Sequence, residues 1–218
     1  CDYYKLSTFL ICNKTFPKDS IVEKPFIMFA NGKNNYITEG YLPPSKRNIS
    51  LIEKHLGKII LHVRDPREAL ISWIEYVDSH KQHPFTLGRF PPVPPTEYFS
   101  WNFEQKANWQ IERFFTFSVK WLEDWLDYIE HDNRIDIKIT TFEDMVSDPL
   151  GFFRDVINFY NNDHNGFQQN NVLPINAYQY HFTSEDIATW RNRLTEEQKA
   201  IVTAMMSDRL FEVFGWER

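Results

Sequence analysis

Arg64 and Ser72 are the side chains whose types and spacing point most directly to chemistry. Arg64 follows Lys58-Ile59-Ile60-Leu61-His62-Val63, an apolar run too short for a helix and bounded by Gly57 and Pro66. Such a run reads as a central strand of a parallel sheet. A helix must begin at once: Asp65 is a good N-cap, Pro66 stands at the first helical position, and Glu68 comes three residues after the cap. Arg64 therefore stands where the strand ends, and the new helix turns its free N–H groups and positive dipole end to the same place. Open parallel sheets gather their ligands there. Ser72 lies two turns into the helix on the face of Glu68, so a guanidinium fork and a hydroxyl could flank one phosphate. The same spacing also fits an arginine paired to a structural carboxylate and a serine facing a neighbouring helix, and the residues alone leave both arrangements open.

Other combinations are weaker. His80 and His83 share a helix face but have no third ligand nearby, so surface placement is the better reading. Asn161-x-Asp163-x-Asn165-Gly166 opens like a calcium loop, yet its twelfth position is Val172 instead of a bidentate Glu. Cys1 and Cys12, the two cysteines, form neither a disulfide framework nor a zinc spacing, which favours a reducing compartment.

The elements that must position the site follow from the hydrophobic pattern. Residues 5–12 and 25–30 read as short buried strands separated by a Pro17-Lys18-Asp19-Ser20 turn. Residues 45–56 predict a helix with Ile49, Ile52 and Leu56 on one face. Residues 84–96 hold five of the twelve prolines and predict a long loop. Residues 101–130 predict one long aromatic helix, with Phe114, Phe117, Trp121, Trp125 and Tyr128 at three- and four-residue steps. A strand over 136–140, a helix over 149–161 and a polar loop over 161–171 follow. Two short helices close the chain, the last opened by Thr195 with Gln198 three residues on. The alternation predicts one α/β domain over 1–218, with a parallel sheet flanked by helices.

Composition narrows the function. The seven glycines stand alone and no G-x-G pair occurs, which excludes a dinucleotide fingerprint, a Walker A loop and a kinase glycine loop. The net charge of −6 argues against nucleic-acid or anionic-membrane binding, while a local basic pocket for one small anion remains allowed. Asn13-Lys14-Thr15 and Asn48-Ile49-Ser50 match the glycosylation pattern without other signs of secretion. No 18-residue apolar run or signal peptide is present, so a cytoplasmic protein is expected.

The stretch from Lys58 to Ser72 resembles the 3′-phosphate-binding element of sulfotransferases that use 3′-phosphoadenosine 5′-phosphosulfate. Its Arg64-Asp65-Pro66-Arg67 form is most similar to carbohydrate-type and bacterial members. Thr141-Phe142-Glu143-Asp144-Met145 with Asp148-Pro149, then Trp190-Arg191-Asn192-Arg193-Leu194-Thr195, then Phe214-Gly215-Trp216 resemble later segments of the family in the family's order. The resemblance implies the P-loop-like sulfotransferase architecture. It further implies that Arg64 and Ser72 hold the 3′-phosphate, that Phe142 packs near the adenine where a Tyr is usual, and that a sulfuryl group passes to a hydroxyl or amine of a small-molecule or carbohydrate acceptor. Adenosine 3′,5′-bisphosphate is the implied product, and no metal is required. Some rings of the 101–130 helix, or Phe85 and Phe90, would line the acceptor pocket.

Three departures bear on activity. The family's phosphosulfate loop, which carries a catalytic Lys, is echoed by Thr15-Phe16-Pro17-Lys18-Asp19-Ser20 without its Gly and paired Thr. Lys18 lies only 46 residues before Arg64, a short interval for that loop. Lys18 is thus one candidate, and a loop lying before Cys1 or lost altogether is the other expectation. The second 3′-phosphate clamp is replaced by Thr183-Ser184-Glu185-Asp186, with His181 just upstream. Tyr41 falls where cytosolic relatives place a basic His, but a phenol is a poor base at neutral pH. Glu39, two residues away and on the same side of an extended segment, is the preferred proton acceptor. The alternative function is a non-catalytic, nucleotide-binding relative.

Overall fold

The computed structural model describes residues 7–8, 12–13, 20–31, 36–37, 40–81, 93–132, 134–160 and 189–218. These divide into two units: residues 1–59, 82–95 and 120–137 form one, and residues 60–81, 96–119 and 138–218 the other.

In the first unit, β1 (Ser7–Thr8) pairs parallel with β4 (Tyr36–Ile37), and β2 (Cys12–Asn13) pairs antiparallel with β3 (Ser20–Ile21). Between β3 and β4 lies α1 (Glu23–Ala30). The expected strand over 25–30 is therefore a helix. Its apolar run suited either element, and Pro25 is tolerated in a helix's first turn. The run is not buried on both sides as a central strand would be, since Phe26 is 1% exposed and Met28 67%. The predicted helix over 45–56 is α2 (Lys46–His55), with the Ser45 hydroxyl accepting the Asn48 N–H. Ile49 and Ile52 are buried. Buried Asn48 is satisfied by backbone, accepting from Ile21 N–H at 3.2 Å and donating to the Pro43 carbonyl at 3.1 Å. Gly57, at φ +72°, makes the left-handed turn into the next strand, a conformation that favours glycine.

That strand is β5 (Lys58–Val63), matching its predicted bounds, and it pairs with β6 (Asp136–Thr141). Asp136 N–H donates to the Gly57 carbonyl near one end, and His62 meets Thr140 near the other. Residue numbers therefore rise together and the pair is parallel. Parallel strands end at the same edge, so the helices that follow them start side by side: α3 (Pro66–Ser79) after β5 and α6 (Phe142–Ser147) after β6.

The second unit is built around α3. Its Leu70, Ile71, Ile74 and Val77 are buried. It packs on α4 (Phe103–Gln110), on a π-helical turn at Ile111–Phe115, and on α8 (Thr189–Arg193). The single helix predicted over 101–130 is thus a composite of α4 with its Asn102–Gln105 capping box, the π turn and α5 (Thr116–His131), and a 3₁₀ turn at Thr96–Ser100 precedes it. The widened turn buries both Phe114 and Phe115, and the Thr116 hydroxyl donates to the Ile111 carbonyl at 3.0 Å. A second short helix over 142–147 precedes the predicted one, now α7 (Pro149–Phe159). At the end, α9 (Glu196–Ala204) has the expected Thr195–Gln198 capping box. One helix beyond the two expected follows, α10 (Asp208–Phe214), closed by Gly215 at φ +66°.

Among the described residues no helix is long and apolar enough to cross a membrane.

Candidate functional site

The β5–α3 junction forms as its sequence requires. The Asp65 carboxylate accepts the Arg67 N–H at 2.9 Å, capping at the second helical residue, and Pro66 occupies the first turn. The neighbouring β6–α6 junction is fixed by Thr141, whose hydroxyl accepts the Asp144 N–H at 3.0 Å and donates to the Asp144 carboxylate at 2.6 Å. Arg64 leaves the first junction and Phe142 the second.

These two side chains meet. The Arg64 guanidinium lies 4.4 Å over the Phe142 ring, within cation–π range. The same guanidinium donates from Nη1 to the Ser72 Oγ at 2.7 Å. Arg64 and Ser72, which the spacing placed two helical turns apart, are thus hydrogen-bond partners. Arg64 and Ser72 are half-buried, and Phe142 is buried. A fork of N–H donors and a hydroxyl, placed beside the start of α3, is a donor set for an oxyanion.

Two further groups bind the junctions together, and neither was singled out from the sequence. Glu143 Oε1 accepts the Asp65 N–H at 3.3 Å, bridging α6 to the β5–α3 turn. Burial pushes the Glu143 carboxyl above the usual carboxylate range, and the Asp65 charge adds to this. Its backbone hydrogen bonds and Arg64 pull the other way. Arg67 is buried. It donates from Nη2 to Asp65 Oδ2 at 2.6 Å and to the Glu217 carbonyl at 2.6 Å, and from Nε to both Asp65 oxygens. Its guanidinium carbon lies over the Trp190 ring, 4.2 Å from the centroid. The Arg-Asp-Pro-Arg spacing held the signal for this pair, because a cap at the first helical boundary can also reach a side chain two residues on. The Trp190 and Glu217 partners carried no local signal.

On the same strand, the His62 ring packs against Phe152 at 5.5 Å, and Nδ1 lies 3.0 Å from the Thr140 hydroxyl. Desolvation on the packed side lowers its pKa.

Tyr41 belongs to the first unit, where it is exposed and lies edge-on to Trp121 at 6.4 Å. The backbone beside it is held firmly, because the Leu42 carbonyl accepts from the indoles of Trp121 at 3.0 Å and Trp125 at 2.9 Å. Lys18 and Glu39 lie outside the described residues, as do His83, Phe85, Phe90, His181 and the stretches 161–172 and 183–186. His80 follows α3, half-buried, with Nδ1 2.9 Å from the Tyr76 carbonyl and its ring 4.2 Å from that of Tyr76. Among the described residues no group of three or more His, Cys, Asp or Glu is placed to hold a metal ion.

A family model described as sulfotransferase domain matches residues 4–213. Among solved structures, the chain is similar to mouse sulfotransferase SULT7A1 complexed with PAP. That likeness has a TM-score of 0.50 and 12% identity, over 92% of this chain and 72% of the mouse chain. No curated protein matches the sequence.

Proposed function

This chain belongs to the sulfotransferase domain family, and on that premise we propose that its β5–α3 junction holds the 3′-phosphate of 3′-phosphoadenosine 5′-phosphosulfate. The family's chemistry is sulfuryl transfer. The observation that carries the proposal is the 2.7 Å contact between Arg64 and Ser72, two donors of complementary geometry at the end of a parallel strand. The residues present fit the group: Arg64 offers charged N–H groups, Ser72 a rotatable hydroxyl, and Phe142 a ring face beside the guanidinium. The mouse sulfotransferase complexed with PAP supports a bisphosphate nucleotide here.

When bound, the nucleotide supplies an activated sulfuryl group, whose bond to phosphate breaks as a bond to the acceptor oxygen or nitrogen forms. Arg64 and Ser72 anchor the far end of the nucleotide and so fix its orientation. Glu39 takes the acceptor proton, with Tyr41 as the second candidate; a carboxylate is ionised and ready at neutral pH, whereas a phenol is not. Lys18 is one candidate for the cation offered to the charge that develops on the leaving phosphate. The acceptor is a hydroxyl or amine of a small molecule or carbohydrate.

Two measurements test this. Calorimetric titration with adenosine 3′,5′-bisphosphate is expected to show Arg64→Ala weakened about tenfold or more, worth about 1.4 kcal/mol. Unchanged affinity would sink the assignment. Transfer of radiolabelled sulfate from the phosphosulfate donor to a panel of alcohols, phenols and sugars identifies the acceptor class. In that assay Glu39→Gln should lose about a hundredfold in rate at unaltered nucleotide affinity, and full activity would remove Glu39 as the base.

A further inference from the structure

Resting on the reading of Arg64 and Ser72 as an anion site, we propose that Glu143 is a positioning residue of that site. It acts as a proton-linked counter-charge, opposing anion binding when ionised and relieving that opposition when protonated.

The geometry places Glu143 between two roles. It is the second residue of α6, and its side chain crosses to the β5–α3 turn, where Oε1 accepts the Asp65 N–H at 3.3 Å. That amide belongs to the helix N-cap, so the contact sets the orientation of the turn that carries Arg64. The other oxygen, Oε2, is buried and has no hydrogen-bond partner among the described residues. A carboxylate with one oxygen used and one buried and unmet favours its neutral form. The charged groups acting on it from the facing junction are Asp65, an anion, and Arg64, a cation. On its own helix Asp144 is turned to the Thr141 hydroxyl at 2.6 Å. The upward pull of burial on its pKa agrees with this surrounding.

A phosphate on Arg64 would add a second anion beside the same guanidinium. Two anions sharing one cation raise each other's proton affinity. Glu143 would therefore hold its proton to higher pH in the complex than in the free protein. The sign follows: affinity is greatest below the free-state pKa and falls as pH rises through it, until the bound-state pKa is passed. Since the free-state pKa is already raised, the fall begins above the ordinary carboxylate range.

The test is the dissociation constant of adenosine 3′,5′-bisphosphate for the unaltered protein and Glu143→Gln between about pH 5 and pH 8. The ligand's own phosphate titration, near pH 6, cancels in the ratio of the two constants. Glutamine keeps an acceptor for the Asp65 N–H while removing the charge. The expected ratio, unaltered over variant, is near one at the acid end and rises to about three- to tenfold at the alkaline end. A ratio that does not change with pH overturns the proposal, because a purely structural contact gives a constant offset. Glu143→Ala should show the same pH trend, and thermal melting confirms that either variant folds. If Arg64→Ala weakens binding while the Glu143 ratio stays flat, only the role of Glu143 falls. If Arg64→Ala binds like the unaltered protein, the anion site itself falls, and this proposal with it.

Discussion

Arg64 and Arg67 leave one strand-to-helix turn three residues apart, and their surroundings divide binding from scaffolding. Arg67 is 0% exposed, and its Nε and Nη2 are committed to the Asp65 carboxylate and the Glu217 carbonyl, with Trp190 against its face and a buried Nη1 that has no partner among the described residues. Arg64 is half-buried and reaches a serine hydroxyl and a phenylalanine ring. A guanidinium fixed by a buried carboxylate has little left to give an incoming anion, whereas one meeting a hydroxyl shares a donor that an oxyanion can take up. On the proposed reading, identical side chains in one motif serve opposite ends, and the partner decides which.

The largest effect expected from breaking this contrast is at Arg67. Arg67→Ala leaves the Asp65 charge buried without its cation and should cost about 3–5 kcal/mol of stability, read from the urea midpoint. Removing both members, as Asp65→Asn with Arg67→Leu, should cost less than Arg67→Ala alone, because no unpaired charge is left. If Arg67→Ala unfolds at the same denaturant concentration as the unaltered protein, Arg67 is not the scaffold described here.

Arg64→Ala should behave in the opposite way. Its stability should fall by no more than about 1 kcal/mol, as expected for a half-buried side chain giving up a hydrogen bond to a hydroxyl and a ring contact. Its nucleotide affinity should drop about tenfold or more. Arg67→Ala tested at a denaturant-free temperature where it remains folded should lose affinity only through the loosened turn. Equal stability losses in the two variants would erase the distinction between the arginines.

How much of this could be read from the chain depends on the range of each interaction. The β5–α3 junction was legible because all its signals are local: a short apolar run, an Asp cap, a Pro at the first helical position and a Ser two turns on. The meeting of Arg64 with Phe142 depends on two strands being parallel neighbours; the alternation predicted a parallel sheet but not which strands adjoin, and the family resemblance placed Phe142 only near the adenine. The pairing of Arg67 with Asp65 had a local signal, but its carbonyl partner, 150 positions away, was not legible. Glu143 was overlooked for the same reason, its partner being 78 positions distant. Elsewhere the limit was ambiguity of period. Residues 25–30 suit a strand or a helix equally, and the π turn at Ile111–Phe115 breaks a helical stripe that otherwise runs on without a visible stop. The Leu42 carbonyl shared by two indoles is a further long-range contact of this kind, joining a segment near Tyr41 to α5.

Ser72 gives the smallest effect and the finest test of what Arg64 is for. If the hydroxyl's purpose is to hold the guanidinium, Ser72→Ala should disturb Arg64 without removing any donor to the ligand. If the hydroxyl itself binds the anion, its loss removes one hydrogen bond to a charged group. A bond of that kind is worth about 1.5–3 kcal/mol, and a merely neutral contact about 0.5–1.5 kcal/mol. Because Ser72 lies one hydroxyl away from Arg64 Nη1 and both are half-buried, part of the loss should be recovered by water, leaving affinity down about three- to tenfold. The double variant Arg64→Ala with Ser72→Ala then separates the two roles. Losses that add, in log units, mean that each side chain meets the ligand independently. A double variant no weaker than Arg64→Ala alone means that Ser72 acts only through the guanidinium it accepts from. The 2.7 Å contact favours additivity diminished by the mutual coupling of the two groups. For Ser72→Ala alone the stability should stay within about 0.5 kcal/mol, in contrast to any change at Arg67.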